Sequence, residues 1–136
     1  MAGRQRDLTV RWREGMVFEA TPEGRPPLLV DGDTAVAASP VELLLFAAAT
    51  CTASDVVSIL LKQRVALAEL EVKLSGTRRE EHPRRFTAIH FAFSIAGAGA
   101  DEAKARRAID LSLEKYCSVV ASLASDIRIS YDVVTR

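Results

Sequence analysis

The chain has two cysteines, Cys51 in "AAATCTASDVV" and Cys117 in "EKYCSVV". A thiolate is a nucleophile and a metal ligand, whereas a neutral buried thiol behaves as a small hydrophobe. Cys51 lies inside the longest apolar run. If that run is helical, its one-turn neighbours are Ala47, Ala48, Ser54 and Asp55, with Ser58 beyond. Mid-helix placement forgoes the N-terminal dipole that eases thiol ionisation. Asp55 would oppose ionisation unless a cation pairs with it. On these grounds alone Cys51 reads as a core residue. Cys117 stands where one helix ends and Ser118 can cap the next. A thiol there ionises more easily, and plugging a helix corner is an equally open reading. Glu42, near the start of the apolar run, reads by itself as a first-turn carboxylate on the helix dipole.

Other chemistries find little support. Cys51, His82, His90 and Cys117 include no close ligand pair of the kind that zinc sites use. "AGAGAD" lacks the lysine and the strand–helix setting of a phosphate loop. No serine sits in a nucleophile elbow. No cofactor is expected. His82 beside Pro83 is expected to be exposed, and His90 to be a packed or hydrogen-bonded imidazole. Eighteen basic residues balance eighteen acidic ones, which argues against nucleic acid or an anionic membrane as partner. The run from Val41 to Leu61 is long enough to raise a transmembrane reading. Asp55 within it makes a core helix the better one. With no export signal in the N-terminal residues, the cysteines are expected to be reduced thiols in the cytoplasm.

The elements that must position these residues follow from hydropathy period. "LTVRWR" alternates, with Val10 and Trp12 expected inward, and "MVFEA" returns after Glu14–Gly15. "LLV" closes at "DGD" as a third short strand. Ser39 and Pro40 then form a good helix start. Pro40 to Arg64 spans 25 residues, about 37 Å as one helix. Such a helix is apolar nearly all round and must be surrounded by protein. Its small residues, Ala47, Ala48, Cys51, Ala53 and Ser54, suit close approach of the same helix from a second subunit. "LAELEVKLSGTRRE" and "RRFTAIHFAFSIAG" read as two strands around a charged, solvated turn. Asp101 can cap an amphipathic helix in which Glu102 and Arg106 pair at i,i+4. "SVVASLAS" adds a short helix and "DIRISYDVV" a last strand. The order β-β-β-α-β-β-α-α-β is α+β, in a single domain over residues 1–136.

"SPVELLLFAAATC" and "KYCSVVASL" resemble the two signature segments of the OsmC/Ohr superfamily, the osmotically inducible and organic hydroperoxide resistance proteins. The resemblance follows the whole chain order. It is strongest to the YhfA-like branch, through "WREGMVFEA", "CTASDVVSILLKQR", "EVKLSGTRREEHPRRFTAIHF" and "AIDLSLEKYCSVV". The resemblance implies antiparallel sheets packed around a long buried central helix, in an intertwined homodimer with active sites at the subunit interface. It implies that Cys51 attacks an organic or fatty-acid hydroperoxide and becomes a sulfenic acid. Cys117 then condenses with it to a disulfide, which an external dithiol reduces. Glu42 matches the acidic residue that orients a catalytic arginine. Nine residues separate Glu42 from Cys51, which puts them on opposite faces and ~13 Å apart along a continuous helix. Glu42 would therefore serve the thiol of the partner subunit.

One departure from that pattern stands out. The peroxidases carry a catalytic arginine in the N-terminal strands, whereas Leu28 to Ser39 contains none. Arg13, Arg25, Arg64 and the "RREEHPRR" turn are the other sources of a cation. The departure supports an alternative: a non-catalytic dimer of this fold that binds a small apolar or electrophilic ligand or senses redox state.

Overall fold

A computed structural model describes residues 3–136. The chain forms two compact units, one ending at Leu44 and one running from Leu45 to Arg136.

The first unit is an antiparallel meander of β1 (Leu8–Glu14), β2 (Val17–Pro22) and β3 (Leu28–Asp31), paired in that order. Gly15, at φ 54°, turns the first hairpin in a conformation that glycine adopts without strain. The expected inward face of β1 is not covered within the meander. Val10 and Trp12 are 67% and 66% exposed, and three short strands alone cannot cover either face. Beyond β3, the Asp31 carboxylate accepts the backbone N–H groups of Asp33, Ala35 and Val36, each at 2.9 Å. These bonds close the segment leading to the long helix, and they hold the Asp31 carboxyl below its ordinary pKa, Val36 foremost.

Helix α1 (Pro40–Lys62) is unbroken. Ser39 and Glu42 cap it reciprocally: the Ser39 N–H donates to Glu42 Oε1 at 2.9 Å and the Glu42 N–H to Ser39 Oγ at 3.2 Å. This capping box satisfies two donors that a helix start otherwise leaves free.

The second unit holds the rest of α1 and a sheet in the order β4 (Ala66–Arg78), β5 (Phe86–Ala98), β6 (Arg128–Thr135). Between β5 and β6 come α2 (Glu102–Leu111), a π turn (Ser112–Tyr116) and α3 (Ser118–Ala121). β4 and β5 are antiparallel, as the charged turn between them requires. β6 runs parallel to β5, which corrects the expectation of purely antiparallel sheets. The helical segment between them is a crossover. It carries the chain back to the end where β5 began, and only a parallel strand can follow. As the central strand, β5 buries Ile89, Phe91, Phe93 and Ile95 on alternate positions. Each contributes roughly 1.5–3 kcal/mol relative to an exposed position. Asp101 caps α2 by accepting from the Lys104 N–H at 2.8 Å, and Glu102 pairs with Arg106 at 3.5 Å.

The burial of α1 is one-sided within the single chain. Ala48, Ala49, Thr52, Val56 and Leu60 form its buried stripe, while Leu44, Phe46 and Leu61 are exposed. By length and hydropathy α1 could cross a membrane. Its enclosed stripe and its hydrogen bonds to the π-turn region are those of a core helix instead.

Candidate active site

Cys51 and Cys117 come together although 65 residues of chain lie between them. Cys51 is half-buried on α1, and Cys117 is 3% exposed just after the π turn. The turn is what presents Cys117. Its backbone N–H donates to the Ser112 carbonyl at 2.8 Å, an i→i+5 bond with one residue more than an α-helical turn. The extra residue ends α2 and swings the thiol back toward α1.

Two contacts fasten this segment to α1. The Ser112 hydroxyl, wholly buried, donates to Asp55 Oδ2 at 2.7 Å. The Thr52 hydroxyl, also wholly buried, donates to Cys117 Sγ at 3.4 Å. The Val120 N–H reaches the same sulfur at 3.4 Å. Cys117 is thus itself the N-cap of α3, the place expected for Ser118. The expected ease of ionisation does not follow. Burial pushes the Cys117 thiol up and outweighs the Thr52 and Val120 donors that pull it down; the neighbouring Cys51 raises it further. A four-residue helix offers little dipole to counter desolvation.

No cation is among the groups that shift Cys117. Arg13 pairs with Glu19 at 2.6 Å on the meander. In the "RREEHPRR" turn, Arg78 donates to the Arg84 carbonyl, Arg79 pairs with Glu81 and Arg85 with Asp126. Arg64 is exposed after α1, in a left-handed conformation. Glu42 makes its hydrogen bonds within the capping box. His82 is exposed, and His90 bonds Ser130 at 2.8 Å and Asp132 at 3.1 Å across β5 and β6. Among the described residues, no three His, Cys, Asp or Glu side chains gather as a metal site would require.

A groove of about 480 Å³ is lined by Asp55, Ser58, Ile59, Lys62, Leu111 and Tyr116, with neither thiol in its wall. It begins one helical turn from Cys51 and includes the residue preceding Cys117. The sequence does not show the π turn, nor that Thr52 and Ser112 bond across it to Cys117 and Asp55. The available signal was a hydroxyl, Thr52, on a stripe otherwise made of alanine, valine and leucine.

An α+β chain with a meander, a long core helix and two neighbouring thiols on that helix and the crossover defines a class. Residues 31–132 match the OsmC-like protein family, and the chain belongs to it. It is 45% identical over 128 residues to protein YhfA of Escherichia coli K12, covering 92% of this chain and 96% of that protein. A hypothetical protein from Aquifex aeolicus VF5 has the same fold, with a TM-score of 0.85 at 26% identity over 98% of this chain and 99% of that one. The organic hydroperoxide resistance protein OhrB of Bacillus subtilis shares the fold, with a TM-score of 0.63 at 15% identity over 96% of this chain and 98% of that one.

Proposed function

We propose that this protein is a thiol-dependent peroxidase of oxidative stress defence that reduces organic or fatty-acid hydroperoxides through Cys51 and Cys117. The observation that carries the reading is the pairing of the two thiols, one half-buried and one buried, from distant parts of the chain. The Cys51 thiolate attacks the distal oxygen of ROOH. The O–O bond breaks, ROH leaves after taking a proton, and Cys51 becomes a sulfenic acid. Cys117 then displaces that hydroxyl, giving a disulfide and water. An external dithiol reduces the disulfide through a mixed disulfide and leaves oxidised itself. The apolar walls of the groove, Ile59, Leu111 and Tyr116, suit an alkyl substituent. The active form is a homodimer in the cytoplasm, its exposed α1 side chains covered by the second copy. Glu42 keeps Oε2 free of partners among the described residues and is assigned to orient the cation that the partner subunit's site requires.

The test is consumption of cumene hydroperoxide with excess dithiothreitol. Wild type is expected to turn over many equivalents and Cys51→Ser none, while Cys117→Ser, given one equivalent of peroxide without the dithiol, is expected to stall as a sulfenic acid that dimedone traps. Equal slow consumption by wild type and Cys51→Ser overturns the reading.

The absence of an arginine between Leu28 and Ser39 favours a second reading, a redox sensor or ligand-binding dimer. Such a protein would form the disulfide with a single equivalent of peroxide and release no further product under the same assay.

A further inference from the structure

Of the four hydroxyls on α1, Thr50, Thr52 and Ser54 make hydrogen bonds, and Thr52 differs from the other two. Thr50 Oγ1 donates to the Phe46 carbonyl and Ser54 Oγ to the Thr50 carbonyl, each at 2.7 Å. That back-bond to the preceding turn is the ordinary recourse of a helical hydroxyl. Thr52 lies between them and is wholly buried, so its need for a partner is greater. It nevertheless directs its proton off the helix, to Cys117 Sγ at 3.4 Å. Valine has nearly the same shape and would fill the site with no polar group to satisfy. Packing therefore does not account for the hydroxyl.

Resting on the peroxidase reading above, we propose that Thr52 is a positioning residue for the second thiol: its hydroxyl aims Cys117 Sγ at Cys51 and holds the thiolate there during disulfide formation. Cys117 must lose its proton to attack, yet it is enclosed and water cannot solvate the charge. The Thr52 O–H and the Val120 N–H are the two donors at the sulfur, and both pull its pKa down against burial. In the step they serve, the Cys117 thiolate attacks the Cys51 sulfenic sulfur. The S–S bond forms and the S–O bond breaks. The departing hydroxide takes up the proton that Cys117 lost, and water leaves. Cys117 sulfur is oxidised and Cys51 sulfur reduced, with the hydroperoxide as the original oxidant. Because Thr52 directly follows Cys51, the residue that carries the sulfenic acid and the one that steadies its attacker move as one piece of helix.

The proposal is separable from peroxidase activity. In a Cys51→Ser background, alkylation of Cys117 by iodoacetamide is followed against pH. Thr52→Val is expected to move the alkylation midpoint upward and to slow labelling roughly tenfold at pH 8, the loss of one hydrogen bond to a charged sulfur. Thr52→Ser, which keeps the donor, is expected to restore the wild-type profile; Thr52→Ala carries the same test if the valine variant does not fold. With Cys51 present, Thr52→Val is expected to form sulfenic acid at the wild-type rate after one equivalent of cumene hydroperoxide, and to accumulate the dimedone adduct as disulfide formation lags. Superposed alkylation profiles for threonine and valine overturn the proposal. Failure of Cys51 to oxidise in either protein overturns the peroxidase reading and leaves the alkylation result to decide on Thr52.

Discussion

The Ser112 hydroxyl donates to Asp55 Oδ2 at 2.7 Å and thereby ties the first residue of the π turn to α1, one helical turn beyond Cys51. Ser112 is wholly enclosed, so its hydroxyl cannot exchange this partner for bulk water, whereas Asp55 is half-buried and lines the groove. Ser112→Ala removes the donor without adding bulk. It is expected to cost about 1.5–3 kcal/mol, the range for a hydrogen bond to a charged group, read from urea unfolding. Disulfide formation is expected to slow with it, because the turn that presents Cys117 loses its anchor. A change below about 0.5 kcal/mol, the range of inert surface substitutions, would show that the π turn does not depend on Asp55.

The thiols differ in access as well as position. Cys117 is 3% exposed with its pKa raised by burial, while Cys51 is half-buried. A bulky maleimide at neutral pH is expected to label Cys51 first, with Cys117 following only on the timescale of local opening. Mass spectrometry of digests separates the two. In strong denaturant the rates are expected to converge, which assigns the difference to the fold.

Much of this arrangement was legible in the sequence, for physical reasons that differ by element. Alternation marked β4 and β5, and the charged turn between them fixed an antiparallel pair. Ser39, Pro40 and Glu42 marked the start of α1, because helix ends have local chemical needs. The direction of β6 was not legible, since it depends on where the crossover delivers the chain, and no residue of "RISYDVV" encodes that. The exposure of Val10 and Trp12 was not legible for a similar reason: alternation shows which face wants cover, and not what supplies it. At the site, the motif segments drew attention to Cys51 and Cys117. Their meeting through Thr52 and Ser112 arises from a π turn, and one extra residue in a helical ladder leaves no trace in hydropathy.

Alkaline pH is expected to loosen the fold through Cys117. Its pKa is raised in the folded state, so the protonated thiol is favoured there more than in the unfolded chain. The resulting stability is fully present below the unfolded thiol pKa, near 8.5. It is lost as pH rises from there through the higher folded value. Thermal unfolding of wild type and Cys117→Ser between pH 7 and 10.5 checks the sign. Wild type is expected to lose stability over the upper part of that range, and the variant to lose less.

Acid is expected to act on Asp31 with the opposite sign. Three backbone N–H groups favour its charged form and lower its pKa, so the contribution is present above the ordinary carboxylate value and fades as pH falls through the folded one. Asp31→Asn keeps one acceptor oxygen and loses the charge. It is expected to be less stable than wild type at pH 6, with the gap narrowing toward pH 2.5. A gap constant across that range would mean that the shape of the side chain, and not its charge, holds residues 31–36.

The exposed side of α1 bears on assembly. Phe46 is 50% exposed and Leu61 55%, on a helix with few polar residues to offset them. Single apolar side chains at a surface are ordinary, but a core helix with large residues on its open face implies a cover. A second copy related by two-fold symmetry would supply one, because the same face of the partner helix has the same need. Sedimentation equilibrium is expected to give about twice the chain mass of 14.8 kDa for wild type. Phe46→Asp places a charge where the single chain already exposes the side chain, so the fold of one copy should tolerate it. The same charge facing its symmetry mate would be desolvated without a partner, and the variant is expected to sediment as a monomer with wild-type circular dichroism. Peroxide turnover measured on that monomer then separates two roles for the dimer. Lost turnover with normal labelling of Cys51 would assign a group from the partner subunit to the chemistry. Retained turnover would place the whole reaction within one chain.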